Sequence, residues 1–172
     1  VLAVKPEYAK IPFCKIYYSP FKRAQETAKL LFAESGIPME ELPYIHETRN
    51  KPAHLQGGTY DEVKKFWEEN RANAYLPEWK PEGGESFLDI KERGKKLKEI
   101  FSGHGNEETI GVVSHGNFLR FFVGHWLMGE SFSPQVFVEL FRYFVVENVG
   151  YVLLEFDKES GNVKMTRWHR WE

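Results

Sequence analysis

The chain has 172 residues, 42% hydrophobic and 16% aromatic, enough to bury one sizeable core and too few to require two. Its 23 Lys and Arg against 25 Asp and Glu give a net charge of −2, which excludes a broad basic field for nucleic-acid backbones or anionic membranes. The single cysteine, Cys14, excludes an intrachain disulfide and a Cys-rich zinc site and suits a reducing compartment, so a cytoplasmic location is expected. No apolar run approaches the length of a membrane span, and no charged start followed by an apolar stretch marks a signal peptide.

In chain order, residues 14–18 form a short apolar and aromatic run bounded by Pro12 and Ser19-Pro20, which predicts a buried strand. It runs into a helix with Ser19 as N-cap and Pro20 at the first helical position, and Phe21, Ala24, Ala28 and Leu31 repeat at helical spacing until Ser35-Gly36. Residues 37–58 are rich in Pro and Gly and predict a loop. Thr59 and Glu62 form a capping box for a helix to Asn73. A second loop at 77–84 precedes Ser86 and Asp89, which cap a helix to Phe101.

Residues 110–113 predict a second buried strand, and Ser114-His115-Gly116-Asn117 leads into an apolar helix at 118–128. From Arg142 onward the pattern predicts a β-meander at 143–146, 151–156 and 163–168, with a hairpin turn at 159–162. Strands alternating with helices give a three-layer α/β/α architecture with a mostly parallel central sheet, in one domain over 1–172.

In such sheets ligands bind beyond the carboxyl ends of the strands, where helix N-termini present unpaired N–H groups. Two strand-to-helix turns carry polar groups there. Arg23 lies in the opening turn of the first helix, so a guanidinium fork and a positive helix end face the same region. His115 ends the second strand, and Gly116 after it lets a ligand approach the backbone. No His or carboxylate cluster with metal-ligand spacing is evident, so no metal or other cofactor is expected.

Tyr-Ser-Pro-Phe-Lys-Arg-Ala-Gln-Glu-Thr-Ala at 18–28 resembles the signature of the histidine phosphatase (phosphoglycerate-mutase-like) superfamily. Val-Val-Ser-His-Gly-Asn-Phe-Leu-Arg at 112–120 resembles its second-histidine motif. Gly-Gly-Glu-Ser-Phe at 83–87, with Arg93 following, is similar to its Gly-Glu-Ser segment. The resemblance implies that Arg23 and His115 bind phosphate, with Asn117 joining through its backbone N–H or side chain. It also implies that an acid in the loop after the first unit transfers the proton, and Glu47 is the residue that fits. The family's nucleophile sits in an Arg-His-Gly triplet, which does not occur in residues 1–172. The expectation is therefore an N-terminally incomplete domain without its nucleophilic histidine.

What the resemblance implies is hydrolysis of a phosphate monoester through a phosphohistidine, without a metal. Phosphoglycerate-mutase-type phosphoryl transfer and a non-catalytic phospho-ligand or interaction module remain the alternatives. The expected partner is a small phosphate ester or phosphate itself, with neither nucleic acid nor membrane. Substrate identity and oligomeric state are open.

Overall fold

The computed structural model describes residues 1, 5–49, 57–144 and 148–169. After a single helical turn, α1 (Lys5–Tyr8), the chain forms β1 (Phe13–Tyr18), α2 (Lys22–Phe32), β2 (Met39–Glu41), α3 (Tyr60–Asn73) and α4 (Phe87–Ser102). It continues with β3 (Thr109–Val113), α5 (Gly116–Met128), a 3₁₀ turn (Gly129–Ser131), α6 (Pro134–Tyr143), β4 (Tyr151–Phe156) and β5 (Val163–His169).

The central sheet has the order β2-β1-β3 and is parallel throughout, with Ile16 opposite Met39 on one side and Gly111 on the other. Successive β1 side chains point to opposite faces. Ile16 packs with Leu31 and Phe32 of α2, while Tyr17 packs with Leu42, Ile45, Ile90, Leu97 and Phe118. Helices therefore cover both faces, which is the usual condition of a parallel sheet and the expected three-layer architecture. β4 and β5 pair antiparallel as a separate two-stranded sheet.

Both expected capping boxes are present. Thr59 with Glu62 opens α3 and Ser86 with Asp89 opens α4, each side chain accepting from the backbone N–H of its partner position. The short strand β2 lies inside the segment expected to be loop. Its three residues have no alternating pattern of their own, and pairing with β1 recruits them into the sheet.

The expected strand at 143–146 is corrected in part. Tyr143 closes α6, and the Phe144 N–H donates to Leu140 O at 2.7 Å, while residues 145–147 lie outside the described residues. Ser133 caps α6 by accepting from Val136 N, with Pro134 at its first turn. Val136, Phe137 and Leu140 pack against the cluster around Phe121 and Phe132, and that burial overrides the β-like local composition. Gly124 of α5 sits where a Cβ would lie 2.9 Å from both Leu140 Cδ1 and Phe132 Cζ, so only glycine allows this approach.

Candidate active site

Because β1 and β3 are adjacent and parallel, with Tyr18 opposite Val113, the residues that follow them leave the sheet side by side. Ser19 N–H extends the ladder by donating to Val113 O at 2.9 Å. Ser19 is fully buried, and its Oγ lies 2.7 Å from His115 Nε2. The expected N-cap is thereby corrected. α2 starts at Lys22 after Phe21, and Ser19 Oγ accepts from Phe21 N at 3.3 Å while bonding the imidazole across the sheet. The imidazole contact holds the hydroxyl one turn upstream of the helix start.

Arg23, in the first turn of α2, donates from Nε to His115 Nδ1 at 3.1 Å. The two expected phosphate-binding residues are thus brought together. A guanidinium only donates, so Nδ1 is the acceptor, and in the neutral ring the proton sits on Nε2 and points at Ser19 Oγ. The ring is held neutral by its surroundings. Burial, then the nearby Arg23, His46 and Arg93, lower the His115 pKa to about 4. His115 also stands at the N-cap of α5 without capping it through its side chain, and the space where a Gly116 Cβ would point is open.

Glu47 supplies the missing cap from another loop. Its Oε1 accepts from Phe118 N at 3.1 Å and from Thr48 N at 2.9 Å, and its Oε2 accepts from Asn117 N at 3.4 Å. A carboxylate at a helix N-terminus is stabilised by the helix dipole as well as by these bonds. Glu47 and Asn117 therefore adjoin His115, and the Asn117 backbone N–H is directed to Glu47.

Four residues to which the sequence reading gave no part in the site, Phe21, His46, Glu85 and Arg93, shape the same region. Phe21 stacks on the His46 ring at 5.7 Å, contacts the His115 ring at 5.2 Å, and has the Arg23 guanidinium 5.2 Å from its centre. His46 is buried, and burial, opposed in part by a bond to Glu47 O, leaves its pKa lowered. Its Nδ1 lies 2.8 Å from Glu47 O and 3.1 Å from Arg93 Nη1. Arg93 Nη1 has two protons, and Tyr44 O at 3.0 Å and His46 O at 2.8 Å take both, so the His46 Nδ1–H donates to Glu47 O.

Arg93 is buried and pairs with Glu85, whose side chain is largely covered. Its Nη2 donates to Glu85 Oε2 at 3.2 Å, and Nε lies 3.0 Å from Oε1 at ion-pair distance without hydrogen-bond alignment. Glu85 also joins the Glu47 loop, accepting from Arg49 N at 2.9 Å and donating its own N–H to Arg49 O at 2.8 Å. A Cβ on Gly84 would lie 2.7 Å from Arg49 O, which explains glycine at this crossing. The Gly-Glu-Ser segment thus locks the loop that carries His46 and Glu47. The Gly-Glu-Ser motif and Arg93 were visible in the sequence, but nothing local linked them to that loop.

Residues 1–169 match the sequence model of the histidine phosphatase superfamily (branch 1). The chain belongs to this superfamily. No curated protein sequence matches. Among solved structures, a mycobacterial glucosyl-3-phosphoglycerate phosphatase in complex with VO3 superposes with a TM-score of 0.73 at 21% identity, covering 97% of this chain and 81% of that one. A putative alpha-ribazole-5'-P phosphatase from Escherichia coli gives 0.73 at 16% identity, covering 98% and 81%. The protein YhfR of Bacillus stearothermophilus gives 0.75 at 18% identity, covering 96% and 78%. At these identities the superpositions establish a shared histidine phosphatase fold. Among the described residues, no helix is long and apolar enough to cross a membrane.

Proposed function

We propose that this histidine phosphatase superfamily domain hydrolyses a small phosphate monoester through a phosphohistidine. The observation that carries the reading is the pairing of Arg23 and His115 at adjacent strand ends, with the imidazole oriented by buried Ser19. Phosphoryl transfer spreads charge over three equatorial oxygens, so fixed donors supply much of the catalysis without a covalent role. On binding, the Arg23 N–H now directed at Nδ1 turns to a phosphoryl oxygen, and His115 joins it as a second donor once protonated.

In a domain that carries the family's Arg-His-Gly triplet, that imidazole attacks phosphorus and the P–O ester bond breaks as the P–N bond forms. Glu47, protonated when the anionic ester binds, gives that proton to the leaving oxygen, and the resulting carboxylate then accepts one from the water that cleaves the P–N bond. A carboxylate has about four lone-pair positions, and three backbone N–H contacts leave Glu47 one for the proton. Residues 1–172 contain no such triplet. On this reading residues 1–172 hold the phosphate group, and turnover needs the triplet as well.

Calorimetric titration with phosphate or vanadate tests the site. Arg23→Ala removes a charge-assisted contact of about 1.5–3 kcal/mol and should weaken binding by one to two powers of ten. Unchanged affinity would remove the basis for the assignment. Hydrolysis by a form carrying the triplet, lost when its histidine becomes alanine, separates the enzyme from a binding module.

A further inference from the structure

The sequence reading found no cluster with metal-ligand spacing, yet the fold assembles one at the opposite end of the sheet from His115. Cys14, His104 and Glu108 each offer a ligand atom, and these atoms all lie within 4.8 Å of one another. We propose that they form a binding site for a transition-metal dication of borderline softness, Zn²⁺ or Co²⁺ in class.

Three features support this. The first is how Cys14 is presented. Phe13 pairs with Thr109 and Lys15 with Ile110, so one step on β3 spans two on β1, and Cys14 sits at this bulge-like shift of register. Bulges re-aim a side chain out of the regular alternation, and here the Sγ lies 3.4 Å from Thr109 O, beside the segment that brings in Glu108.

The second is the orientation of the imidazole. Tyr17 Oη lies 2.9 Å from His104 Nε2, and the two rings pack edge to face at 5.8 Å. A ligating histidine typically gives its second ring nitrogen to a fixed polar partner, and buried Tyr17 is that partner. Nδ1 faces Glu108 Oε2 at 2.8 Å, a hydrogen bond that a shared metal ion would replace.

The third is ligand chemistry. A thiolate with an imidazole and a carboxylate selects zinc-class ions over calcium or magnesium, which require oxygen ligands. Three protein ligands leave a fourth position to water. Binding releases the thiol proton to solvent and moves the ring proton from Nδ1 to Nε2, where Tyr17 Oη accepts it.

Cobalt titration of the 172-residue chain under a phosphine reductant tests this, because a thiolate-to-cobalt charge-transfer band reports sulfur ligation directly. One cobalt per chain is expected, with the band displaced by Zn²⁺ and abolished in Cys14→Ser. His104→Gln and Glu108→Gln should each weaken binding by about tenfold or more. Far-ultraviolet circular dichroism establishes that each variant is folded, and exposed Cys14 makes the serine variant benign to the core. Absence of the band in the folded protein would overturn the site. Persistence of the band in Cys14→Ser, or a stoichiometry of two chains per cobalt from thiols bridging separate molecules, would do the same.

Discussion

The Ser19 hydroxyl and the His115 imidazole, 96 residues apart in sequence, form a buried hydrogen bond of 2.7 Å. Replacing Ser19 by alanine strands the Nε2–H of a buried ring, and an orphaned donor costs about 1–3 kcal/mol. Ser19→Ala should therefore unfold at lower urea with an unchanged slope. Equal midpoints for wild type and variant would mean that the folded state does not depend on this hydrogen bond in solution.

Stability should also respond to pH through His115. Its folded pKa of about 4 lies below the ordinary value of 6.5, so between these limits the unfolded chain binds more protons than the folded one. Stability is full above about pH 6.5 and falls as pH drops toward 4. His46 and His125, both lowered chiefly by burial, act in the same direction. Urea unfolding at several pH values should give a shallower slope in His115→Gln than in wild type. Parallel slopes would show that folding leaves the proton affinity of the ring unchanged.

Glu47→Gln separates two roles of one carboxylate. Loss of the charge at the α5 N-terminus should lower stability by about 0.3–1 kcal/mol, measurable by thermal or urea unfolding. In a form that carries the Arg-His-Gly nucleophile, turnover of alkyl phosphates should fall much more than turnover of aryl esters, whose acidic phenol leaves without a proton. Equal losses on both ester types would move the acid role to another residue.

Arg93 and Glu85 should be strongly coupled. Removing either partner of a buried ion pair leaves an uncompensated charge, at a cost of about 3–5 kcal/mol. Arg93→Met and Glu85→Gln should each be severely destabilising, and the double variant should lose much less than their sum. An additive double-mutant cycle would show that the two side chains do not interact appreciably in solution.

How far the sequence carried depended on whether a feature was local. β1, β3, α3, α4 and α5 were readable within a residue or two because strand runs, capping boxes and helical spacing lie within a short window. The pairing of Arg23 with His115 was legible from the two motifs that end parallel strands. α6 was missed because its aromatic and β-branched residues suit a strand, and only packing against Phe121 and Phe132 makes them helical. His46, Phe21 and Glu85 act across long separations, and no short window contains both members of their contacts. The Cys14 trio was hidden for the same reason: His104 and Glu108 have ordinary loop spacing until β1 brings a thiol beside them.

The strand order β2-β1-β3 also predicts an order for the events of folding. β1, α2 and β2 are neighbours in sequence and can associate across a short loop, whereas joining β3 to β1 closes a loop of more than 90 residues and incurs its entropy cost before any reward. The two halves of the proposed anion site, Arg23 and His115, stay apart until that closure. On the proposed reading a phosphate or vanadate ion would recognise only chains in which that closure has formed. At a hundredfold excess over its dissociation constant it would hold them there by about 2.7 kcal/mol.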